Sequence, residues 1–299
     1  MTARSGAVTL EWFGTSTFRI RSEGLSLFFD AYLDRLPGLP PVGLSLADVD
    51  HADYVFVSHA HFDHLCGAEV VARRTGCTVV ATPESARVLR DTGLPQKQLL
   101  TVTGGETVDC GRGVRVRVLP ALHACLFAGS SPDAGAECLG DLGTSAQTRA
   151  AVVAGMFDAI ATMPDPTGPA LRAMLGRSSA HDGGQLAFHL LTPSGSVLVS
   201  GSAGYWRGIY RDLRPDVALL SVAGRPNVDG EPFQGSSAQF LLQQVGDLGA
   251  GRVALCHHDA LIPGFPGVDI GAAAATLRGE GGNRRYLELE YATPVELLS

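Results

Sequence analysis

The sequence predicts an α/β fold built as one large domain. Short apolar runs rich in β-branched and aromatic residues recur along the chain and are separated by glycine, which is typical of strands. Segments with helical spacing alternate with these runs, and strands followed by helices occur once in each half of the chain. No linker divides the 299 residues, and 45% hydrophobic residues are enough for one extended core.

The first half begins with a predicted meander of three strands at residues 8–13, 17–20 and 25–29. The third run ends at Asp30, before a loop rich in proline and glycine. A buried strand predicted at 54–57 leads directly into the sequence SHAHFDH. The remaining predicted elements of this half are helices at 68–74 and 84–92 and strands at 99–102 and 114–119.

The stretch of about 124–184 interrupts this alternation, and we interpret it as an insertion. Apolar residues in 152–163 have helical spacing, Thr144 and Gln147 fit a capping box, and PDPTGP ends the helix. We expect this segment to act as a lid over the substrate pocket. Its apolar side chains, together with Trp206 outside the segment, would face the substrate: Leu126, Phe127, Met156, Phe157 and Met163. Strands at 186–191, 197–200, 217–222 and 253–256 and a helix at 238–248 follow.

Composition and charge exclude several classes of function. The net charge is −7 and no run of lysine or arginine is present, so the electrostatic footprint of a nucleic-acid-binding protein is missing. A small-molecule substrate is expected instead. No apolar stretch approaches the roughly 20 residues of a membrane span, and the six cysteines form no CxxC pair, which predicts a cytoplasmic protein with free thiols.

A cluster of metal-ligand residue types follows the strand at 54–57. His59, His61, Asp63 and His64 place three imidazoles and one carboxylate within six residues, where alternate side chains can point to two neighbouring centres. These groups suit zinc, and also manganese or iron. Further ligands are available at the ends of later strands, because His123 follows the strand at 114–119 and His257 the strand at 253–256.

The sequence HAHFDH resembles the HxHxDH signature of the metallo-β-lactamase superfamily, and the chain looks closest to its compact lactonase-like and phosphodiesterase-like members. FFDAY, PALH and VALCHHD resemble other motifs of that superfamily, in the same order along nearly the whole chain. The resemblance implies a four-layer αββα sandwich, formed as a single domain over residues 1–299. It also implies that Asp30 orients the histidine loop through hydrogen bonds.

The resemblance further implies two metal sites. One would be held by His59, His61 and His123, and the second by Asp63, His64 and His257.

One position departs from the pattern of the superfamily. Ser202 stands where an aspartate usually bridges both metals, and a hydroxyl supplies no charge, so we expect the second metal to bind more weakly, to be a different ion or to be absent. Asp259, two residues after His257, is a candidate replacement ligand. Candidates for substrate binding are His181, His258 and Ser202.

These residues predict a metal-dependent hydrolase. A metal held by three imidazoles lowers the pKa of coordinated water to about 7, which yields hydroxide at neutral pH. We expect it to cleave an ester, lactone, thioester, amide or phosphodiester of a small, partly hydrophobic substrate, with Asp63 as the catalytic residue that orients the nucleophile and accepts its proton. Two alternatives stay open: an iron-dependent, dioxygenase-like oxidoreductase on the same fold, and a non-catalytic binding protein that lost activity through Ser202.

Overall fold

A computed structural model describes residues 6–125, 145–211, 213–264, 266–281 and 286–299. Two seven-stranded sheets form its centre. Across the first sheet the order is β17 (Val295–Leu298), β1 (Val8–Trp12), β2 (Phe18–Ser22), β3 (Leu25–Phe29), β4 (Tyr54–Phe56), β5 (Thr78–Ala81) and β6 (Leu99–Thr101). Across the second it is β16 (Tyr286–Leu287), β15 (Arg252–Cys256), β12 (Val217–Ser221), β10 (Gly195–Ser200), β9 (Leu186–Thr192), β8 (Val114–Pro120) and β7 (Thr107–Gly111).

Helices and a small third sheet complete the described part of the chain. The third sheet contains β11 (Gly204–Tyr205), β13 (Asn227–Val228) and β14 (Glu231–Pro232). The helices are α1 (Phe62–Leu65), α2 (Ala68–Thr75), α3 (Pro83–Asp91), α4 (Ala146–Ala161), α5 (Thr167–Leu175), α6 (Arg207–Tyr210), α7 (Ser237–Leu248) and α8 (Gly271–Gly281). Short 3₁₀ turns occur at Leu46–Asp48 and Gln96–Gln98. None of the helices in the described ranges is long and apolar enough to cross a membrane.

Three hydrophobic clusters define four layers. The central cluster lies between the two sheets and includes Phe29 and Phe56 of the first sheet and Phe188 of the second. A second cluster packs α7 and α8 on the outer face of the second sheet, and a third packs α2 and α3 on the outer face of the first. Side chains of β12 belong to both the central and the second cluster, because successive side chains of a strand point to opposite faces of its sheet. This arrangement confirms the predicted αββα sandwich.

The strand directions bring the candidate ligands to one edge. In the first sheet β3 to β6 are parallel, and the histidine motif follows the carboxyl end of β4. In the second sheet β12 and β15 are parallel, and His257 follows the carboxyl end of β15. Ligands can meet at an edge shared by the ends of several strands, as the sequence predicts.

The predicted insertion lies between two paired strands. β8 and β9 are antiparallel neighbours although residues 121–185 separate them in sequence. The predicted helix is α4, but the cap is Ser145, whose hydroxyl accepts a hydrogen bond from the Thr148 amide, rather than the expected Thr144 and Gln147. Thr144 lies outside the described residues. A second helix, α5, was not predicted, because the sequence PDPTGP was interpreted only as a helix end.

His189 of β9 provides a test of acid stability that is independent of the site. It is buried, and neither ring nitrogen has a hydrogen-bond partner among the described residues. Burial, reinforced by the charge of Arg117, lowers the pKa of His189 to about 4. An unfolded histidine has a pKa of about 6.5, so the unfolded chain binds one more proton between these values and the native state loses stability as the pH falls.

We therefore expect His189→Leu to be at least as stable as the wild type at pH 7.5 and to gain a further 1–2 kcal/mol or so relative to it at pH 5. Urea unfolding at the two pH values measures this difference. His51→Leu is the matched control, because His51 is exposed and paired with Asp53. The same change between the two pH values in both variants would contradict the assignment to His189.

Candidate metal centre

The histidine motif is held in a fixed turn. His61 is the N-cap residue of α1, and Asp63 and His64 lie within that helix. Gly67 follows α1 with a φ of 108°, and a Cβ at this position would lie 2.4 Å from the carbonyl oxygen of Ala31. Glycine is therefore required for the close approach that lets the amide of Ala31 donate to the carbonyl of His64 over 3.0 Å.

Three imidazoles form the first candidate group. Ligand atoms of His59, His61 and His123 all lie within 4.8 Å of one another. The Nε2 atom of His59 is 3.0 Å from the Nδ1 atom of His61. His123 follows β8 of the second sheet, and its Nδ1 donates to the carbonyl of Ala124 over 2.8 Å, which leaves its Nε2 available as a ligand atom.

A carboxylate and two imidazoles form the second group. Ligand atoms of Asp63, His64 and His257 also lie within 4.8 Å of one another. The Oδ2 atom of Asp63 is 3.1 Å from the Nε2 atom of His64 and 3.1 Å from the Nε2 atom of His257. Each group therefore combines residues from both sheets.

The spacing within both groups fits a divalent metal ion. In tetrahedral sites with metal–nitrogen bonds of about 2.0–2.1 Å, neighbouring ligand atoms lie about 3.3 Å apart, close to the distances found here. Imidazole must be neutral to act as a ligand. Burial and the neighbouring imidazoles hold the pKa of His59 well below its usual value and lower that of His123 to about 4.

The second group contains the negative charge. Burial favours the neutral form of Asp63, but His64 and His257 outweigh it and hold the pKa of the carboxyl well below its usual value. Burial also opposes protonation of His64, yet the carboxylates of Asp63 and Asp30 raise its pKa to about 10. An ion in this group would therefore have to displace a proton from His64 before the imidazole could act as a ligand. The carboxylate of Asp63 therefore offers an anionic oxygen to a metal ion, next to the ligand nitrogens of His64 and His257.

Asp30 makes the hydrogen bonds expected of it. Its Oδ2 atom accepts from the hydroxyls of Ser16 (2.6 Å) and Ser58 (3.0 Å) and from Nδ1 of His64 (2.7 Å), and its Oδ1 atom accepts from the amide of Ser58 (2.7 Å). The carboxylate thereby fixes the ring of His64 with Nε2 directed toward Asp63. Ser16 is the member of this network that the sequence does not predict, since no local motif marks a serine in the turn between β1 and β2.

Asp259 lies in neither group, and the structure places its carboxylate in another network. Its Oδ2 atom is 2.7 Å from Nη1 of Arg35 and accepts from the hydroxyl of Tyr291, and its Oδ1 atom accepts from the amide of Thr15 over 2.8 Å. His257 has a φ of 58°, which interrupts the alternation of side chains along the strand and explains why the expectation for Asp259 fails.

The other candidates divide between the pocket and its surroundings. The hydroxyl of Ser202 accepts from the amide of Ala124 over 3.0 Å, and Ser202 lines the pocket described below. His258 does not line it and instead stacks on Trp12 with ring centroids 5.0 Å apart. His181 is exposed, and its neighbours Ser179 and Ala180 line the pocket in its place.

A pocket of about 250 Å³ opens over both groups. Ligand residues of both groups line this pocket together with apolar side chains. Among the predicted lid residues Met156 lines the pocket, whereas Met163 and Trp206 do not. Leu126 and Phe127 lie outside the described residues, as does the side chain of Phe157.

Comparisons with known proteins agree with this architecture. Residues 26–150 match the family model of the β-lactamase superfamily domain. A UPF0173 metal-dependent hydrolase of Pyrobaculum calidifontis is 33% identical over 115 residues, which are 38% of this chain and 50% of the relative. The chain therefore spans about half the length of the curated relatives that it matches.

Solved structures show the same fold over nearly the whole chain. A metallo hydrolase from the archaeon Ignicoccus hospitalis has a TM-score of 0.63 at 17% identity, with 97% of each chain covered. CmlA, a diiron β-hydroxylase from Streptomyces venezuelae, has a TM-score of 0.57 at 16% identity, with 98% of this chain and 55% of the other covered. With its two facing sheets, its outer helices and its histidine motif, this chain is a metallo-β-lactamase-fold protein.

Proposed function

We propose that the protein is a metal-dependent hydrolase that cleaves an ester, lactone, thioester, amide or phosphodiester of a small, partly hydrophobic substrate. The observation that carries this proposal is the pair of three-ligand groups, both of which contribute residues to the lining of one pocket. The name of the Pyrobaculum relative, a metal-dependent hydrolase, supports the same chemistry for the matched region.

In this proposal each group holds one ion, with zinc as the expected metal. The ligand sets are His59, His61 and His123 for the first ion and Asp63, His64 and His257 for the second. Such an ion, when bound, lowers the pKa of a water molecule to about 7 and polarises the bond under attack.

The residues of the chain supply orientation and proton transfer. Asp63 lines the pocket and lies between the imidazoles of His64 and His257, so in this proposal it orients the nucleophile and accepts its proton. Asp30 acts on this process indirectly, because it fixes the ring of His64 beside Asp63. Ser202 supports the first group, since its hydroxyl holds the amide that follows His123.

The metal content per chain tests this proposal. We expect elemental analysis of protein purified without chelator or added metal to find zinc or manganese, with the second ion bound more weakly than the first because Ser202 supplies no carboxylate. Ser202→Asp should bind the second ion about tenfold or more tightly, since it adds an anionic oxygen. Ser202→Ala is the matched control, because it removes the hydroxyl without adding charge.

Hydrolysis of p-nitrophenyl esters and of bis(p-nitrophenyl) phosphate gives the second measurement. Activity on at least one of these compounds should disappear with a chelator and return with added metal. One iron per chain and oxygen-dependent turnover would overturn the proposal in favour of an oxidoreductase. CmlA, the diiron β-hydroxylase, is an oxidoreductase with a similar fold. A chain that binds no metal would indicate a non-catalytic binding protein.

A further inference from the structure

A buried ion pair lies beside the metal centre and belongs to neither ligand group. Arg35 and Asp259 form it, with side chains that are 4% and 9% exposed. The Nη1 atom of Arg35 is 2.7 Å from Oδ2 of Asp259, and the hydroxyl of Tyr291 donates to the same oxygen over 2.9 Å. Because desolvation offsets much of the attraction within a buried pair, net stability is a poor explanation for it.

The carboxylate of Asp259 joins two turns that belong to different sheets. Its Oδ1 atom accepts from the amide of Thr15, which lies between β1 and β2 of the first sheet. The carbonyl of Thr15 in turn accepts from the amide of His257 over 2.9 Å, after β15 of the second sheet. Thr15 therefore holds the chain around His257 through both of its backbone groups.

Both residues joined in this way have a left-handed backbone. The φ angle is 44° at Thr15 and 58° at His257. Residues with a side chain rarely adopt this region, a β-branched threonine least of all, and such conformations persist only where surrounding contacts impose them. The hydrogen bond from Thr15 to Asp259 is one of these contacts, so its loss should release His257 from the conformation seen here.

The ion pair lies directly against the backbone of the β1–β2 turn. A Cβ at Gly14 would be 2.8 Å from Oδ2 of Asp259 and closer still to Nη1 of Arg35. The Nη2 atom of Arg35 also donates to the carbonyl of Ala260. Arg35 follows β3 of the first sheet, so its guanidinium holds two consecutive residues after His257 against that sheet.

These contacts determine where the second sheet places one of its ligands. His257 is the ligand that the second sheet contributes to the second group, and its Nε2 atom is 3.1 Å from Oδ2 of Asp63. The first group takes His123 from another loop, which follows β8. An effect of Arg35 and Asp259 on metal binding should therefore be confined to the second group.

We propose that Asp259 and Arg35 are positioning residues that hold His257 in place for the second ion. The same contacts would fix Leu261 and Ile262, which follow on this loop and line the pocket. The inference rests on the proposed function and assigns a role at that same site to two residues that do not touch the ion.

Competition for zinc with a chromophoric chelator measures this role. Asp259→Asn keeps the shape of the side chain but removes the charge that binds Arg35. We expect the second zinc to bind at least about tenfold more weakly, because His257 is no longer fixed, and the first zinc to bind as in the wild type. His123→Ala and His257→Ala assign the two binding steps, since each removes a ligand from one group only.

Two further variants make the comparison specific. Glu11→Gln is the matched control, because Glu11 and Arg19 form an ion pair of similar burial, 10% and 11% exposed, within β1 and β2. It should leave both zinc affinities unchanged. Tyr291→Phe removes one hydrogen bond to Asp259 without changing the ion pair, so it decides the question if Asp259→Asn does not fold. The second zinc should then bind about threefold more weakly.

Hydrogen exchange of the metal-free protein tests the same contacts without metal or substrate. The amide of His257 donates to the carbonyl of Thr15, so it should be protected in the wild type. Asp259→Asn should speed its exchange, whereas Glu11→Gln should not. Unchanged exchange at His257 in Asp259→Asn would overturn the assignment.

The outcomes separate this inference from the proposed function. Selective loss of the second zinc and faster exchange at His257, in a protein that hydrolyses no ester, would support the positioning role and contradict the hydrolase. Metal-dependent hydrolysis with an unchanged second zinc in Asp259→Asn would support the hydrolase and overturn the positioning role. Equal weakening of both zinc ions, or the same loss in Glu11→Gln, would also overturn it, because a general loss of stability would then explain the result.

Discussion

Asp63→Asn should lower hydrolytic turnover by about 10³-fold or more, because it removes both the proposed proton acceptor and the only carboxylate in either ligand group. Asparagine has nearly the same shape, so the loss reports the charge rather than the packing. The second ion should also bind more weakly, since the ligand group of residue 63, His64 and His257 then carries no negative charge. Turnover and metal content per chain are the measurements.

The matched control for this variant is Asp109→Asn. The exposed carboxylate of Asp109 in β7 accepts a hydrogen bond from the backbone amide of Gly111. Asp109 belongs to neither ligand group. Full turnover in Asp63→Asn would show that the proton goes elsewhere and would remove Asp63 from the proposed mechanism.

Asp30→Ala should reduce the free energy of unfolding of the metal-free protein by about 3 kcal/mol, because four buried donor groups lose their acceptor. It should also weaken metal binding about 10- to 100-fold, since the ring of His64 is no longer fixed. Urea unfolding without metal measures the first effect, and titration against a chromophoric chelator measures the second.

Asp53→Ala is the control for Asp30→Ala, because it also removes a carboxylate that accepts a hydrogen bond from a backbone amide. Its Oδ2 atom accepts the amide of Ser26 over 2.8 Å, but its side chain is 28% exposed. We expect less than about 1 kcal/mol of destabilisation and unchanged metal affinity. Equal metal affinity in Asp30→Ala and in the wild type would show that the network serves only the fold.

The fold and most of the ligand geometry could be predicted from the sequence, because they depend on local patterns. The strand before His59 and the strands before His123 and His257 are short apolar runs, and parallel strands in one sheet bring their ends to one edge. The histidine motif supplies adjacent ligands within a single turn of chain. Apolar runs and the histidine motif can be recognised in the sequence without knowledge of tertiary contacts.

What the sequence did not predict depends on backbone conformation and on contacts between distant residues. The left-handed conformation of His257 directs Asp259 toward Arg35, and no composition rule marks a histidine for that conformation. Ser16 meets Asp30 only because two strands of the meander are adjacent.

The distribution of the ligands over two sheets gives bound metal a mechanical role. His59 and His61 extend from the first sheet and His123 from the second, while Asp63 and His64 face His257 in the same way. An ion in either group would thus act as a noncovalent cross-link between the two halves of the sandwich, at one edge of their apolar core. Metal binding would then raise the free energy of unfolding in proportion to the logarithm of the free ion concentration, so the supply of metal would govern the stability of the folded chain.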